Sequence, residues 1–564
     1  MVNNSVGPFG NNGPLTIGLA ALALVSSSVV IYRQYPALTR SSIKQQKKLF
    51  SSQTPISNDS VALDHLLAAF GPDGRNAPGT AAGCMVASPS KEGDGDSNNY
   101  WFQWPRDSGC CVRSLLDIMK SVEEGKDAGV YSASDIERRV KDFFTMSLKL
   151  QHTPNQSGTF ETGGLGEPKF NVDGTAFEGS WGRPQNDGPA LRSIVAAKYL
   201  QHLLKTRDAG DASTKFAKQH LWGVGAGADK SLIKADLDYI SRAWKGETFE
   251  LWEEVNAANG GHFHVLMTQR RALLEGVKLA KDKTLEKDDG AAERWTKAAD
   301  AITKRLEDFW NQDGALDIEG GSKEGDNVKW DDDRNLSLIP KEVLSSAHVV
   351  PTRDRVSGQP KPTQADTAVL LGFTHAWDGD VGKKEDDTWE PWSERCLATL
   401  NRNIEVFAAV YPVNKGRKPE EGVLCGRYPE DVYDGVGQSI GNPWFLTTFA
   451  VSNVLYLFIA HHATTSLPIS ISPLTHSLFK KAYPSLPSSQ TATYHRGSKE
   501  WELILKGLRS MAERFVENAA RYADKTGRMS EQIDRFDGHM RGARELSWSF
   551  ASLLAVHYAR QLVV

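Results

Sequence analysis

The chain has 564 residues, 40% hydrophobic and 24% charged, a balance that excludes an intrinsically disordered protein and leaves ample apolar material for a large core. Its 66 Lys and Arg face 70 Asp and Glu, for a net charge of −4, which excludes the broad basic footprint that a nucleic-acid partner requires. Five cysteines, at 84, 110, 111, 396 and 425, lack Cys-x-x-Cys spacing, so no metal framework follows; most read as small buried hydrophobes, and the odd count leaves at least one thiol unpaired or bonded to another chain.

From the amino end, a polar Asn/Gly-rich tail (1–14) leads into an apolar run (15–32) that is interrupted by Ser26-Ser27-Ser28 and followed by Arg33, Arg40, Lys44, Lys47 and Lys48. Eighteen residues lie near the lower limit for a membrane-spanning helix. Three readings stay open: an uncleaved anchor, a cleaved signal that lacks the usual basic front, or a buried or disordered tail. The charge behind the run favours keeping the following domain in the cytoplasm. Asn-x-Ser sequons at Asn3, Asn58, Asn155 and Asn335 are compatible with secretion. The expected compartment is the secretory pathway, extracellular or membrane-anchored, with a cytosol-facing anchor as the alternative. Residues 33–60 are polar, basic and Ser/Gln-rich, the composition of a flexible linker.

The globular part is placed at 61–564. Apolar side chains recur at three- and four-residue intervals over 107–122, 135–151, 189–204, 262–281, 291–310, 364–375, 392–410, 443–461, 499–522 and 543–561, each a predicted helix. Strand alternation is scarce, so the fold class is all-α. Gly, Pro and Asp-rich connections run over 314–325, 351–362 and 464–498, the last Ser/Thr/Pro-rich and read as an exposed insertion. No fixed-period repeat appears, although alternating helices and loops imply repeated helical hairpins.

The loops carry the chemistry. Leu251-Trp252-Glu253-Glu254-Val255-Asn256 and Ser530-Glu531-Gln532-Ile533-Asp534 supply carboxylates from distant parts of the chain, and Trp104-Pro105-Arg106-Asp107-Ser108-Gly109 precedes both. Cleaving a glycosidic bond needs one carboxylic acid to protonate the departing oxygen and a second carboxylate to assist water or attack the anomeric carbon. Indole rings cover the apolar faces of a pyranose, while Arg, Lys and carboxylates bind its hydroxyls. Trp104, Trp181 and Trp444 stand in Gly/Pro-rich loops beside charges, the setting for such rings.

The chain resembles the fungal glucoamylases of glycoside hydrolase family 15. The resemblance rests on that Trp104 motif, Gly164-Leu165-Gly166-Glu167-Pro168-Lys169-Phe170, Gly179-Ser180-Trp181-Gly182-Arg183-Pro184-Gln185, the Glu253 segment, Gly426-Arg427-Tyr428-Pro429-Glu430-Asp431, Gly441-Asn442-Pro443-Trp444-Phe445 and Ser530-Glu531-Gln532. It implies an (α/α)6 barrel, a six-hairpin toroid with the active site in loops at one end. It also implies Glu253 as general acid and Glu531 as general base of an inverting reaction, with Glu250 and Glu254 as sources of negative charge beside the acid. Arg106 and Asp107 are expected to grip the terminal glucose, including its 4-hydroxyl. Tyr100 and Trp104 stand near the cleavage point, Trp181 steadies the acid, Arg427 with Glu254 holds the departing side, and Trp444 lines the mouth.

The implied activity is exo-acting release of β-D-glucose from non-reducing ends of α-1,4-linked glucans, more slowly from α-1,6 branches, by a monomer that needs no cofactor or metal. The alternatives are a trehalase or glucodextranase, a catalytically silent carbohydrate sensor of the same fold, and a membrane-tethered scaffold using 15–32. Glu250, Gly542, Phe102 and Ile533 depart from residues common in relatives, and 434–440 is an insertion. No segment has room for a starch-binding module, so soluble dextrins or glycogen-like chains are the expected substrates. His262-Phe263-His264 does not match a helical zinc pair, and Asp331-Asp332-Asp333 lacks the glycine and terminal glutamate of a calcium loop.

Overall fold

Apolar periodicity in this chain resolves into twelve α-helices of eight residues or more among the described residues. The computed structural model describes residues 59–563 apart from 95–97, 127, 224, 226, 317–333 and 384–387. The apolar run at 15–32, the linker up to 58, the Asn3 and Asn58 sequons and Asp331-Asp332-Asp333 therefore lie outside the described residues. In chain order the helices are α1 (Asp59–Leu67), α2 (Pro105–Glu123), α3 (Ala133–Gln151), α4 (Asp187–Thr206), α5 (Leu232–Ala243), α6 (Phe263–Ala280), α7 (Asp289–Leu306), α8 (Ala368–His375), α9 (Glu394–Val410), α10 (Phe445–Thr465), α11 (Lys499–Ala520) and α12 (Ser547–Gln561).

The even-numbered helices form a closed inner ring. Each packs on the next, α2 on α4, α4 on α6, α6 on α8, α8 on α10 and α10 on α12, and α12 returns to α2. The odd-numbered helices surround it: α3 lies on α2, α5 on α4 and α6, α7 on α6, α9 on α8, α11 on α10 and α1 on α12. This is the (α/α)6 barrel. Burial follows the layers. α4 is buried continuously from Asp187 to Leu200, and α10, apolar enough by composition to cross a membrane, is a core helix whose apolar window is 94% buried. Outer α7 buries only the stripe Ala291, Ala292, Trp295, Ala298, Ala299, Ile302 and Leu306.

Helix starts differ between the layers. Ser132, Asp288, Ser393 and Ser498 cap outer helices by accepting from the backbone N–H three residues on, as short polar side chains do. The six inner helices have no side-chain N-cap. Their N-termini all follow an outer-to-inner connection and point to one end of the barrel, with the first N–H of three taken up by the Pro351 carbonyl, Asp366 Oδ1 and the Ala87 carbonyl. At that end the partial positive charge of the helix starts favours carboxylates.

Some sequence expectations need correction. The 464–498 segment is structured: Ile469–Ile471 pairs antiparallel with Ala492–Tyr494, a helix covers His476–Ala482, and Ile469, Ile471, Leu478, Phe479 and Leu486 are buried. Its few apolar anchors are diluted by Ser, Thr and Pro. Helix α5 went unpredicted because buried Lys234 and Asp236 interrupt its apolar stripe, each neutralised by a distant partner, Asp288 and Arg192 respectively. All five cysteines are buried free thiols.

Candidate active site

Five of the six outer-to-inner connections converge on one cavity of about 570 Å³, within the size range of small-ligand sites. It brings together Tyr100, Trp104, Arg106, Asp107, Trp181, Glu253, Glu254, Arg427, Trp444 and Glu531, every site residue expected from the sequence. Phe102, Lys169, Trp252, Tyr433 and Trp548 also line it.

Glu253 sits on a tight hairpin. Thr248–Phe249 pairs antiparallel with Asn256–Ala257, which in turn pairs with Arg355–Ser357. Across the turn the Glu250 N–H donates to the Val255 carbonyl at 3.0 Å and the Glu253 N–H to the Glu250 carbonyl at 2.9 Å. Glu253 has φ +70°, a left-handed conformation that costs a non-glycine residue about 1–3 kcal/mol unless its surroundings impose it. Its Oε1 accepts from the Arg106 guanidinium at 2.7 Å and its Oε2 from the Trp181 indole N–H at 2.7 Å. Trp181 itself is 39% exposed at the rim.

The floor is the start of α2 and α4. Arg106 is buried and donates to Gln185 Oε1 at 2.6 Å, with Asp107 at 3.5 Å and Asp187 at 3.6 Å. Burial pushes the Asp107 carboxyl up to about 7 against the pull of Arg106. Asp107 Oδ2 and both Asp187 side-chain oxygens make no hydrogen bond and rest on the longer ion pairs to Arg106; of the two acids, Asp107 lines the cavity and Asp187 is fully buried behind Arg106. The acids that share Arg106 with Glu253 are thus Asp107 and Asp187, both held above the usual carboxylate range by burial. The expected sources of negative charge, Glu250 and Glu254, are neutralised: Lys361 donates to Glu250 Oε2 at 2.7 Å, and Glu254 Oε1 accepts from Arg427 at 2.7 Å while its Oε2 accepts from the Tyr428 hydroxyl. Burial raises Glu254, but Arg427 and Tyr428 outweigh it and hold the carboxyl below its usual range.

Glu531 faces the same cavity and is 1% exposed. Gln532–Ile533 and Met540–Arg541 form the short hairpin that carries it. Its Oε1 accepts from the Tyr100 hydroxyl at 2.6 Å, which lies 3.0 Å from the Tyr433 hydroxyl. Burial pushes this carboxyl up to about 7, with Tyr100 and Arg427 pulling the other way. Gly542, at φ +69°, backs the carboxylate so closely that a Cβ there would stand 2.4 Å from Oε2. The 434–440 insertion leans on that glycine through Gly435.

Lys169 was legible only as part of a motif. Its ammonium is ringed by Trp181, Phe177, Phe102 and Trp104, 3.3, 4.1, 4.3 and 4.9 Å from their centroids, and burial brings it down to about 8. These rings come from two connections, so spacing along the chain gave no signal of the cage. Trp444, expected at the mouth, is a wall residue only 6% exposed, packed on Trp252, Tyr433 and Arg427. His262 uses both ring nitrogens, on Thr352 Oγ1 and the Thr248 carbonyl, each at 3.1 Å, and so braces the strand before Glu253. His264 bonds His375 at 3.0 Å.

An all-α toroid with carboxylates gathered at the N-terminal end of its inner helices defines the class of (α/α)6-barrel glycoside hydrolases. The chain belongs to glycosyl hydrolases family 15, whose family model matches residues 60–558. It is 31% identical over 520 residues to a probable glucoamylase of Schizosaccharomyces pombe, covering 92% of this chain and 94% of that protein. Glucoamylase 1 of Rhizopus oryzae is 30% identical over 486 residues, covering 86% of this chain and 68% of its own. Among solved structures, a family 15 glucoamylase from Hypocrea jecorina superposes with TM-score 0.72 at 30% identity over 92% of this chain and 73% of that one. A Saccharomycopsis fibuligera glucoamylase gives 0.69 at 27% identity over 90% and 95%.

Proposed function

We propose that this enzyme is a glucoamylase that removes β-D-glucose from non-reducing ends of α-1,4-linked glucans, and more slowly from α-1,6 branches, in one inverting step. Glu253 is the acid and Glu531 the base. The observation that carries this reading is that both carboxyls, from segments 278 residues apart in sequence, face one cavity whose floor is Arg106 and Asp107. Arg106 and Asp107 bind the hydroxyls of the terminal glucose, and the closed floor favours a chain end over a chain interior, because a buried polar group left without its partner is penalised.

Arg106 and Trp181 each donate to an oxygen of Glu253. Sugar hydroxyls draw Arg106 away from Oε1, and that oxygen then carries the proton to the departing glycosidic oxygen while Trp181 holds Oε2 in place. On the other side Tyr100 orients Glu531 through Oε1, which leaves Oε2 to take a proton from the attacking water. Water arrives opposite the leaving group, so the anomeric centre inverts. Arg427 and Glu254 bind the departing sugar.

The test is proton NMR of residues 50–564 acting on maltose. The first anomer to accumulate is β-glucose; an initial excess of α-glucose, or no glucose at all, overturns the reading. Placement of the base gives a second check. Gly542→Ala forces a Cβ into the space beside Glu531 Oε2 and is expected to lower kcat on maltose about 10²-fold, with KM near that of the parent, the scale of loss that a roughly 1 Å displacement of a reacting group produces.

A further inference from the structure

The turn that carries Glu253 places three acids, Glu250, Glu253 and Glu254, within five residues and holds Glu253 at a positive φ. Part of what holds that turn lies outside the pocket. Lys361, in the sixth outer-to-inner connection, does not line the cavity and its side chain is 6% exposed. An ammonium has three N–H donors. One meets Glu250 Oε2 at 2.7 Å, one meets Asp366 Oδ2 at 2.7 Å, and the ammonium also lies 4.0 Å from the centroid of the Tyr428 ring. Each contact leads to a different residue of the turn. Glu250 is bound directly, and its carbonyl accepts from the Glu253 N–H. Asp366 Oδ1 accepts from the Trp252 indole N–H at 2.9 Å. The Tyr428 hydroxyl donates to Glu254 Oε2.

We propose that Lys361 is the positioning residue for the acid, one buried cation that ties Glu250, Trp252 and Glu254 and thereby fixes the Glu253 carboxyl at the scissile bond. This rests on the assignment of Glu253 above. Without the cation, the buried carboxylates of Glu250 and Asp366 face each other uncompensated, the turn relaxes, and Glu253 loses its aim while the sugar-gripping floor of Arg106 and Asp107 stays intact.

The experiment compares maltose with α-glucosyl fluoride, whose fluoride leaves without needing a proton from the enzyme. Lys361→Met is expected to lower kcat on maltose about 10²-fold with KM changed less than about threefold, and to lower the rate on the fluoride less than about tenfold. Lys361→Arg, which keeps the charge, recovers part of the maltose rate. Tyr428→Phe keeps the ring over Lys361 but cuts the bond to Glu254; as a milder change that serves if Lys361→Met does not fold, it is expected to show the same selective loss in kcat at about a tenfold scale with KM for maltose changed less than about threefold, whereas a loss carried by KM reports the departing-sugar grip of Glu254 and counts against the proposal. An equal fall on both substrates, or no fall on maltose, overturns the proposal. Glu253→Gln in the same assay separates the two ideas: if it hydrolyses maltose as fast as the parent, the acid assignment fails, whatever Lys361 does.

Discussion

Glu253→Gln is expected to reduce kcat on maltose by about 10³-fold, the scale on which a general acid contributes, while the protein stays folded. The substitution keeps the shape of the side chain and one acceptor for Arg106. It removes the only proton this group can deliver and sets an amide donor against the Trp181 N–H that now points at Oε2. KM for maltose should move little, since the hydroxyl-binding residues of the floor are unchanged. Initial rates with a thermal melt on the same sample decide the matter, and a variant within tenfold of the parent removes Glu253 from the mechanism.

Glu531 gives the second large effect, and it carries a pH signature. Its carboxyl is held up to about 7 by burial, so the base is protonated and idle below that value. The expected kcat/KM profile on maltose therefore falls about tenfold per pH unit on the acid side of pH 7, and Glu531→Gln lies at least about 10²-fold below the parent at pH 7 and above, the gap closing towards acid pH as the parent's base takes up its proton. Stability moves the other way. Because the folded protein binds this proton more tightly than the unfolded chain, the contribution is fully present below about pH 4.5 and is lost as the pH rises through about 7. At pH 8 the parent bears the cost of an ionised buried carboxylate, and Glu531→Gln should be the more stable protein by up to about 3 kcal/mol, with the advantage fading towards pH 4.5. Denaturant melts at both pH values measure this, and a variant less stable at pH 8 contradicts it.

The barrel was legible to different depths along the chain. Helix α2 announces itself: Pro105 suits the first helical position, Asp107 the first turn, and the apolar stripe follows. Starts were less exact where the backbone bends first. Helix α8 begins at Ala368 and not at 364, because Gln364 has φ +54° and Asp366 Oδ1 accepts from the Ala368 N–H at 2.8 Å as the chain turns inward. At the site, resemblance placed each lining residue by its motif, but it could not say which charge answers which. The nearby acids Glu250 and Glu254 looked like companions of Glu253 in sequence. Their partners Lys361 and Arg427 are 111 and 173 residues away, and only folding shows the pairs closed. Conversely, Asp187, 66 residues before Glu253, shares the Arg106 guanidinium with it, an arrangement that the local sequence around Glu253 gives no hint of.

The alternation of the two helical layers divides the molecule by pole. Among the described residues, every one that faces the cavity lies in a segment that enters an inner helix or in that helix's first turn, and none in the segments at 124–132, 207–231, 281–288, 376–393 or 466–498 that leave one. Length and composition can drift at one pole while recognition is rewritten at the other. A toroid of this kind is thus a chassis whose working face and whose growth points do not compete for the same stretch of chain.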